Sequence, residues 1–224
     1  MDKKKLFAQA ISKYLLGVIL VGAILFLPAW SFCYWNAWLF MGILFVPMFI
    51  AGIIMLGKNP ELLQKRLEAK EKEAEQKSVV ALSGLMFLAA FIVAGLDWRF
   101  GWTHMPNWMV WVATGLFLLS YLLYAEVLRE NTYLSRTIEV QEDQEVIDTG
   151  LYGIVRHPMY MATLVLFLSM PLVLGSLCSF LIMLVYIPII AKRIRNEEMV
   201  LEEGLPGYKE YKQKVKYKVI PFIW

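Results

Sequence analysis

With 224 residues, of which 59% are hydrophobic and 18% charged, the chain is far more apolar than a soluble domain, where about 45–50% of residues are apolar and about 25% charged. This excludes an ordinary soluble enzyme, and a net charge of only +3, carried beside apolar runs, argues for a membrane surface and against nucleic acid as partner. Cys33 and Cys178 lie in apolar runs with neither a CxxC pair nor zinc-ligand spacing, so they read as buried, inert thiols.

Crossing a hydrocarbon core takes about 20 apolar helical residues. The N-terminal lysines and the apolar run behind them resemble a signal peptide. No clean cleavage site follows, however, and further apolar blocks lie downstream, so a retained first membrane helix is expected. The uncharged block Tyr14–Leu56 must hold two spans, divided in "PAWSFCYWN" (28–36), whose Trp30, Tyr34 and Trp35, with Trp38, suit the headgroup level. The connector 57–78 mixes charge signs and sets Leu62, Leu63 and Leu67 at helical spacing, fitting an amphipathic helix that is either interfacial or solvated. Ser78–Leu96 and Phe100–Ala125 supply two more spans.

The last block, Pro158–Ala191, is too long for one crossing and carries "MPLVLGS" near its middle. It reads as a helical hairpin of Met159–Leu172 and Ser176–Arg195, within limits 158–195. Pro47 and Pro188 are expected to kink their helices. The expected fold is therefore all-α, a polytopic membrane helix bundle of about six segments. With the N-terminus inside, the pieces 1–13, 57–77, 126–157 and 192–224 carry four, six, three and eight Lys/Arg, while the outer pieces hold Arg99 alone. That asymmetry places both termini in the cytoplasm. Residues 1–128 form helices 1–4, and 129–224 hold the polar chemistry.

Two polar regions flank the hairpin, Asn131–Tyr160 and Lys192–Tyr211, and a hairpin would bring them together. In "GLYGIVRHPMY" (150–160), Gly150 and Gly153 permit tight turns. Pro158 suits a helix start, which puts His157 near the N-cap and makes the helix start an anion site. The same residues also fit a capped interfacial helix with a snorkelling Arg156. Arg193 and Glu197, four apart, share a helix face. They read either as a surface ion pair or as a pair facing ligand groups, the guanidinium suited to a carboxylate. His104 and Trp102 read as an outer interface belt, and Glu126 and Arg129 as boundary charges.

"GLYGIVRHPMY", about thirty apolar residues, and then "RNEEMVLEEGLPGYKEYKQKVKYKVIPFI" together resemble the isoprenylcysteine carboxyl methyltransferase family, with related membrane phospholipid N-methyltransferases sharing the pattern. The resemblance covers about residues 131–224. It implies a cytoplasm-facing S-adenosyl-L-methionine site with contacts from Gln141, the strand-like Gln144, Glu145, Val146 and Ile147, and Tyr152. His157, Pro158, Met159 and Tyr160 continue the pocket and Glu197 closes it. Arg193 takes the position that engages the methyl acceptor, a prenylated or otherwise amphiphilic molecule entering from the bilayer. Phospholipid N-methyl transfer, small-thiol S-methyl transfer and NADPH-dependent reduction of the sterol-reductase kind are the competing activities. The sequence names neither the acceptor nor the oligomeric state, and it carries no metal-ligand pattern.

Overall fold

The computed structural model describes residues 3–60, 63, 64, 67, 74–131, 133, 140 and 143–224. Within them the chain forms eight α-helices and one 3-10 turn. The four long helices of the N-terminal part are α1 (Lys3–Ala29), α2 (Trp35–Lys58), α3 (Ala74–Phe100) and α4 (Asn107–Glu130). A 3-10 turn at Gly150–Gly153 precedes α5 (Pro158–Val173). Then come α6 (Leu177–Met183), α7 (Tyr186–Gly204) and α8 (Tyr208–Lys214).

Among the described residues, five stretches are long and apolar enough to cross a membrane: Lys4–Ala29, Trp35–Lys58, Ala81–Phe100, Asn107–Glu130 and the α6–α7 run Leu177–Gly204. The shorter apolar α5 is the other arm of the expected hairpin. Large side chains such as Leu16, Ile19, Ile50, Ile53, Leu119 and Leu122 face outward, which only an apolar solvent accommodates over so many turns. This is a polytopic helical bundle.

Packing divides the chain into two interleaved units. The first comprises 1–70, 87–114 and 170–182. There α1 and α2 lie against each other, with the Tyr14 hydroxyl donating to the Phe45 carbonyl at 3.2 Å. A Cβ on Gly95 would stand 2.6 Å from the Leu25 carbonyl oxygen, so α3 approaches α1 at backbone distance. The hairpin turn is tied by polar groups: Tyr34 Oη donates to the Leu174 carbonyl (2.6 Å) and Asn36 Nδ2 to Val173 (3.0 Å). Asp97, 2% exposed at the end of α3, accepts from Thr103 N (2.7 Å), Thr103 Oγ1 (2.5 Å) and Ser176 Oγ (2.5 Å). Aromatic residues collect at the same turns, with Tyr34 stacked on Trp98 and Trp35 beside Trp111. The second unit, 71–86, 115–169 and 183–224, holds the polar chemistry.

Three local expectations need correction. Cys33 is exposed, because it lies in the turn between α1 and α2 and not on a packed helix face. Gln144–Ile147 is irregular and pairs with no strand among the described residues. Pro188 sits in the first turn of α7, after the break at 184–185, where a missing N–H costs nothing. Of the connector 57–78, residues 61, 62, 65, 66 and 68–73 lie outside the described residues.

Candidate active site

The second unit builds its cavity from the turn upward. Gly150 adopts φ +52°, and a Cβ there would stand 2.7 Å from the carboxyl carbon of Glu130, which accepts from Thr149 Oγ1 at 2.8 Å. A left-handed glycine under a carboxylate fixes the turn that delivers Tyr152. The Tyr152 ring is buried, its hydroxyl accepting from Asn131 Nδ2 (2.9 Å) and its carbonyl accepting from Tyr211 Oη (2.8 Å). Burial pushes its phenol up to about 12.

The next residues turn into α5 against the C-terminal tail. Arg156 N donates to Tyr217 O (2.9 Å) and His157 N to Lys218 O (2.8 Å). Arg156 does not snorkel. Its side chain is 4% exposed, with Nε donating to Glu198 Oε1 (2.9 Å) and Nη1 to the carbonyls of Val215 (2.7 Å) and Lys216 (2.9 Å). A buried guanidinium is tolerated because its donors are met. Glu198 also takes Lys218 Nζ at 2.8 Å.

The His157 ring lies between successive carboxylates, Nδ1 at 3.7 Å from Glu197 Oε1 and Nε2 at 3.3 Å from Glu198 Oε1. Burial disfavours its charged form, but hydrogen bonds donated to Glu197 and Glu198, with their negative charges, outweigh burial and raise its pKa above the ordinary 6.5. On α7, Arg193 and Glu197 are joined through α5: Tyr160 Oη donates to Glu197 and accepts from Arg193 Nε at 3.0 Å. The surface ion-pair reading is thereby replaced by a three-residue chain across two helices.

Around this chain lies a cavity of about 840 Å³, part of it open solvent. Its wall includes Gln144, Glu145, Val146, Ile147, Tyr152, His157, Pro158, Met159, Tyr160, Arg193 and Glu197. These are all the residues implied by the resemblance except Gln141, which lies outside the described residues. The wall also holds residues to which the sequence reading gave no place in the pocket: Asn131, Tyr133, Arg156, Leu201, Leu205, Tyr208 and Tyr211. Tyr208, Tyr211, Leu205 and Val215 form a buried apolar cluster joined by Val146 and Leu201, which gives the cavity one oily side. The phenols of Tyr208 and Tyr211 are held protonated, chiefly by burial. The spacing of Tyr208 and Tyr211, three apart in "GYKEY", was a helical signal for a shared face. His104 lies in the first unit, exposed beside Gly101. Among the described residues no cluster of His, Cys, Asp or Glu suits a metal ion.

Comparison with known proteins adds two findings. Residues 114–203 match the isoprenylcysteine carboxyl methyltransferase (ICMT) family. A stretch of 91 residues, 39% of this chain, is 29% identical to the Delta(14)-sterol reductase of Mus musculus, and spans 22% of that relative's length. The matched stretch thus corresponds to about a fifth of the reductase. The segment that carries Tyr152, the RHP turn, Arg193 and Glu197 lies within the stretch that matches the isoprenylcysteine carboxyl methyltransferase family.

Proposed function

We propose that the chain is an integral membrane methyltransferase that uses S-adenosyl-L-methionine and methylates a lipid-like acceptor, the carboxylate of an isoprenylcysteine-type molecule being the best fit. The observation that carries this reading is the convergence of His157, Tyr160, Arg193 and Glu197 with residues 144–147 on one cavity beside an apolar wall. A sulfonium donor combines an aromatic base, a carboxylate, an ammonium and a positive sulfur. The cavity offers matching chemistry: an oily side formed by Leu201, Leu205 and Tyr208, together with carboxylates and a guanidinium in the same lining. Bound there, the donor supplies an electrophilic methyl group.

The remaining roles belong to the chain's own residues. Tyr160 fixes both Arg193 and Glu197, so the guanidinium and the carboxylate hold a set separation. Arg193 suits a carboxylate acceptor, which is already nucleophilic and needs no proton removed. An amine or thiol acceptor would need a general base. His157, buried between two carboxylates with its charged form favoured, is a poor one. This sets phospholipid N-methyl and thiol S-methyl transfer behind the carboxylate reading. The positive-inside asymmetry supports a cavity that faces the cytoplasm, with the acceptor entering from the bilayer.

The sterol reductase similarity favours a second reading, a nicotinamide dinucleotide in the same cavity. Charge weighs against it. The described wall carries Arg156, Arg193 and His157 against Glu145 and Glu197, with Arg156 already engaged by Glu198 and two carbonyls and His157 by Glu197 and Glu198. A triphosphorylated dinucleotide needs a surplus of cations there. Calorimetric titration of the purified chain with S-adenosylmethionine and with NADPH decides between the two; NADPH binding without S-adenosylmethionine binding would overturn the proposal. Labelled methyl transfer to a farnesylcysteine analogue and to phosphatidylethanolamine then separates the acceptors. Arg193→Ala should abolish transfer while changing donor affinity less than threefold, and an equal loss of both would remove Arg193 from the acceptor side.

A further inference from the structure

Tyr208 is 4% exposed, and its hydroxyl is a buried side-chain polar atom without a hydrogen-bond partner among the described residues. It stands apart from the cavity's other phenols: Tyr133, Tyr152, Tyr160 and Tyr211 each hydrogen-bond through their hydroxyls. The two carboxylates near it are engaged elsewhere, Glu197 with Tyr160 and Glu198 with Arg156, His157 and Lys218. Folding leaves few such groups, because a buried donor with no acceptor loses its hydration for nothing. The ring is also well fixed, packed with Leu205, Tyr211 and Val215. A rigid aromatic side chain on a ligand cavity with an unused O–H is a contact set up in advance for an acceptor atom of a ligand. Tyr208 lies beyond the matched residues 114–203, and the resemblance over 131–224 assigns it no role.

We propose that the Tyr208 hydroxyl is a hydrogen-bond donor to the bound methyl donor, completing the cavity from the C-terminal helix α8. The ring supplies apolar surface to the ligand and the O–H meets one of its oxygen or nitrogen acceptors. This rests on the S-adenosylmethionine reading above, and Tyr208→Phe tests it separately. Phenylalanine keeps the packing and removes only the unmet hydroxyl. The apo variant, followed by circular dichroism, should unfold at the wild-type temperature or slightly above. Its affinity for S-adenosylhomocysteine by calorimetry should fall about five- to tenfold, as loss of one buried hydrogen bond predicts. Tyr211→Phe behaves differently, because its hydroxyl holds the Tyr152 carbonyl and its loss should lower the unfolding temperature. Equal affinities of wild type and Tyr208→Phe overturn the inference and leave the methyltransferase reading standing. A lowered unfolding temperature in Tyr208→Phe also overturns it, since the hydroxyl would then serve the fold. A wild-type chain that is folded and binds no S-adenosyl ligand overturns both.

Discussion

Glu198 is the residue whose change the structure prices most sharply. Its carboxylate is 5% exposed and receives Arg156 Nε at 2.9 Å, His157 Nε2 at 3.3 Å and Lys218 Nζ at 2.8 Å. Three donors converge on two oxygens. In Glu198→Gln the shape is kept, but the side chain offers one oxygen and adds an N–H₂ among donors. Lys218, 26% exposed, can turn to water; Arg156, at 4%, cannot. Leaving a buried charge unpaired costs about 3–4 kcal/mol. For a chain of this size that corresponds to a fall of about 6–16 °C in unfolding temperature, read by circular dichroism in detergent. The cost should be specific to the pair. Arg156→Met combined with Glu198→Met should destabilise by at least about 2 kcal/mol less than the two single changes added together. A Glu198→Gln variant within 2 °C of wild type, or strictly additive methionine variants, would refute the claim that this ion pair anchors the tail to the RHP turn.

Two further expectations concern the other buried charges. The folded-state pKa of His157 is raised above 6.5, so its charged-ring contribution to stability is complete below that pH and is lost as the pH rises through the raised value. The gap in unfolding temperature between wild type and His157→Asn should therefore narrow from about pH 6 to about pH 9; a constant or widening gap would contradict the pairing with Glu197 and Glu198. In the first unit, Asp97→Ala removes the acceptor of Thr103 N, Thr103 Oγ1 and Ser176 Oγ and should cost about 2–4 kcal/mol, with Asp97→Asn milder. Thermal unfolding of both variants checks this, and an Asp97→Ala chain as stable as wild type would contradict it.

The helices were legible because the bilayer imposes a length on them: uncharged blocks near 20 residues can be little else. The hairpin was legible for the same reason, and its turn lies where "MPLVLGS" placed it, between Val173 and Leu177. Arg193 and Glu197 were legible as a shared helix face, and the RHP turn as a helix start, because both signals are local. What escaped the sequence was non-local or made by backbone. Arg156 finds Glu198 across 42 residues and the Val215 carbonyl across 59, and a carbonyl has no letter in the sequence. The resemblance implied a strand-like Gln144–Ile147, but the chain provides no partner edge among the described residues, and the segment serves as cavity wall instead.

The same contrast explains why the RHP turn alone was ambiguous. As a local signal, "RHP" describes a capped helix with an arginine nearby, and both readings of it share that geometry. Its chemistry is decided by what lies across from it: Glu197 and Glu198, adjacent in sequence, divide the work. Glu198 faces inward and is consumed by Arg156 and the tail, which fixes the turn. Glu197, 24% exposed, faces the cavity with Tyr160 and Arg193. A doubled glutamate in which one member builds the wall and the other lines it makes the buried pair a condition for the ligand-facing one. On the methyltransferase reading, Glu198→Gln should accordingly weaken S-adenosylhomocysteine binding by calorimetry through displacement of His157, even though Glu198 is not among the residues lining the cavity; unchanged affinity would contradict this.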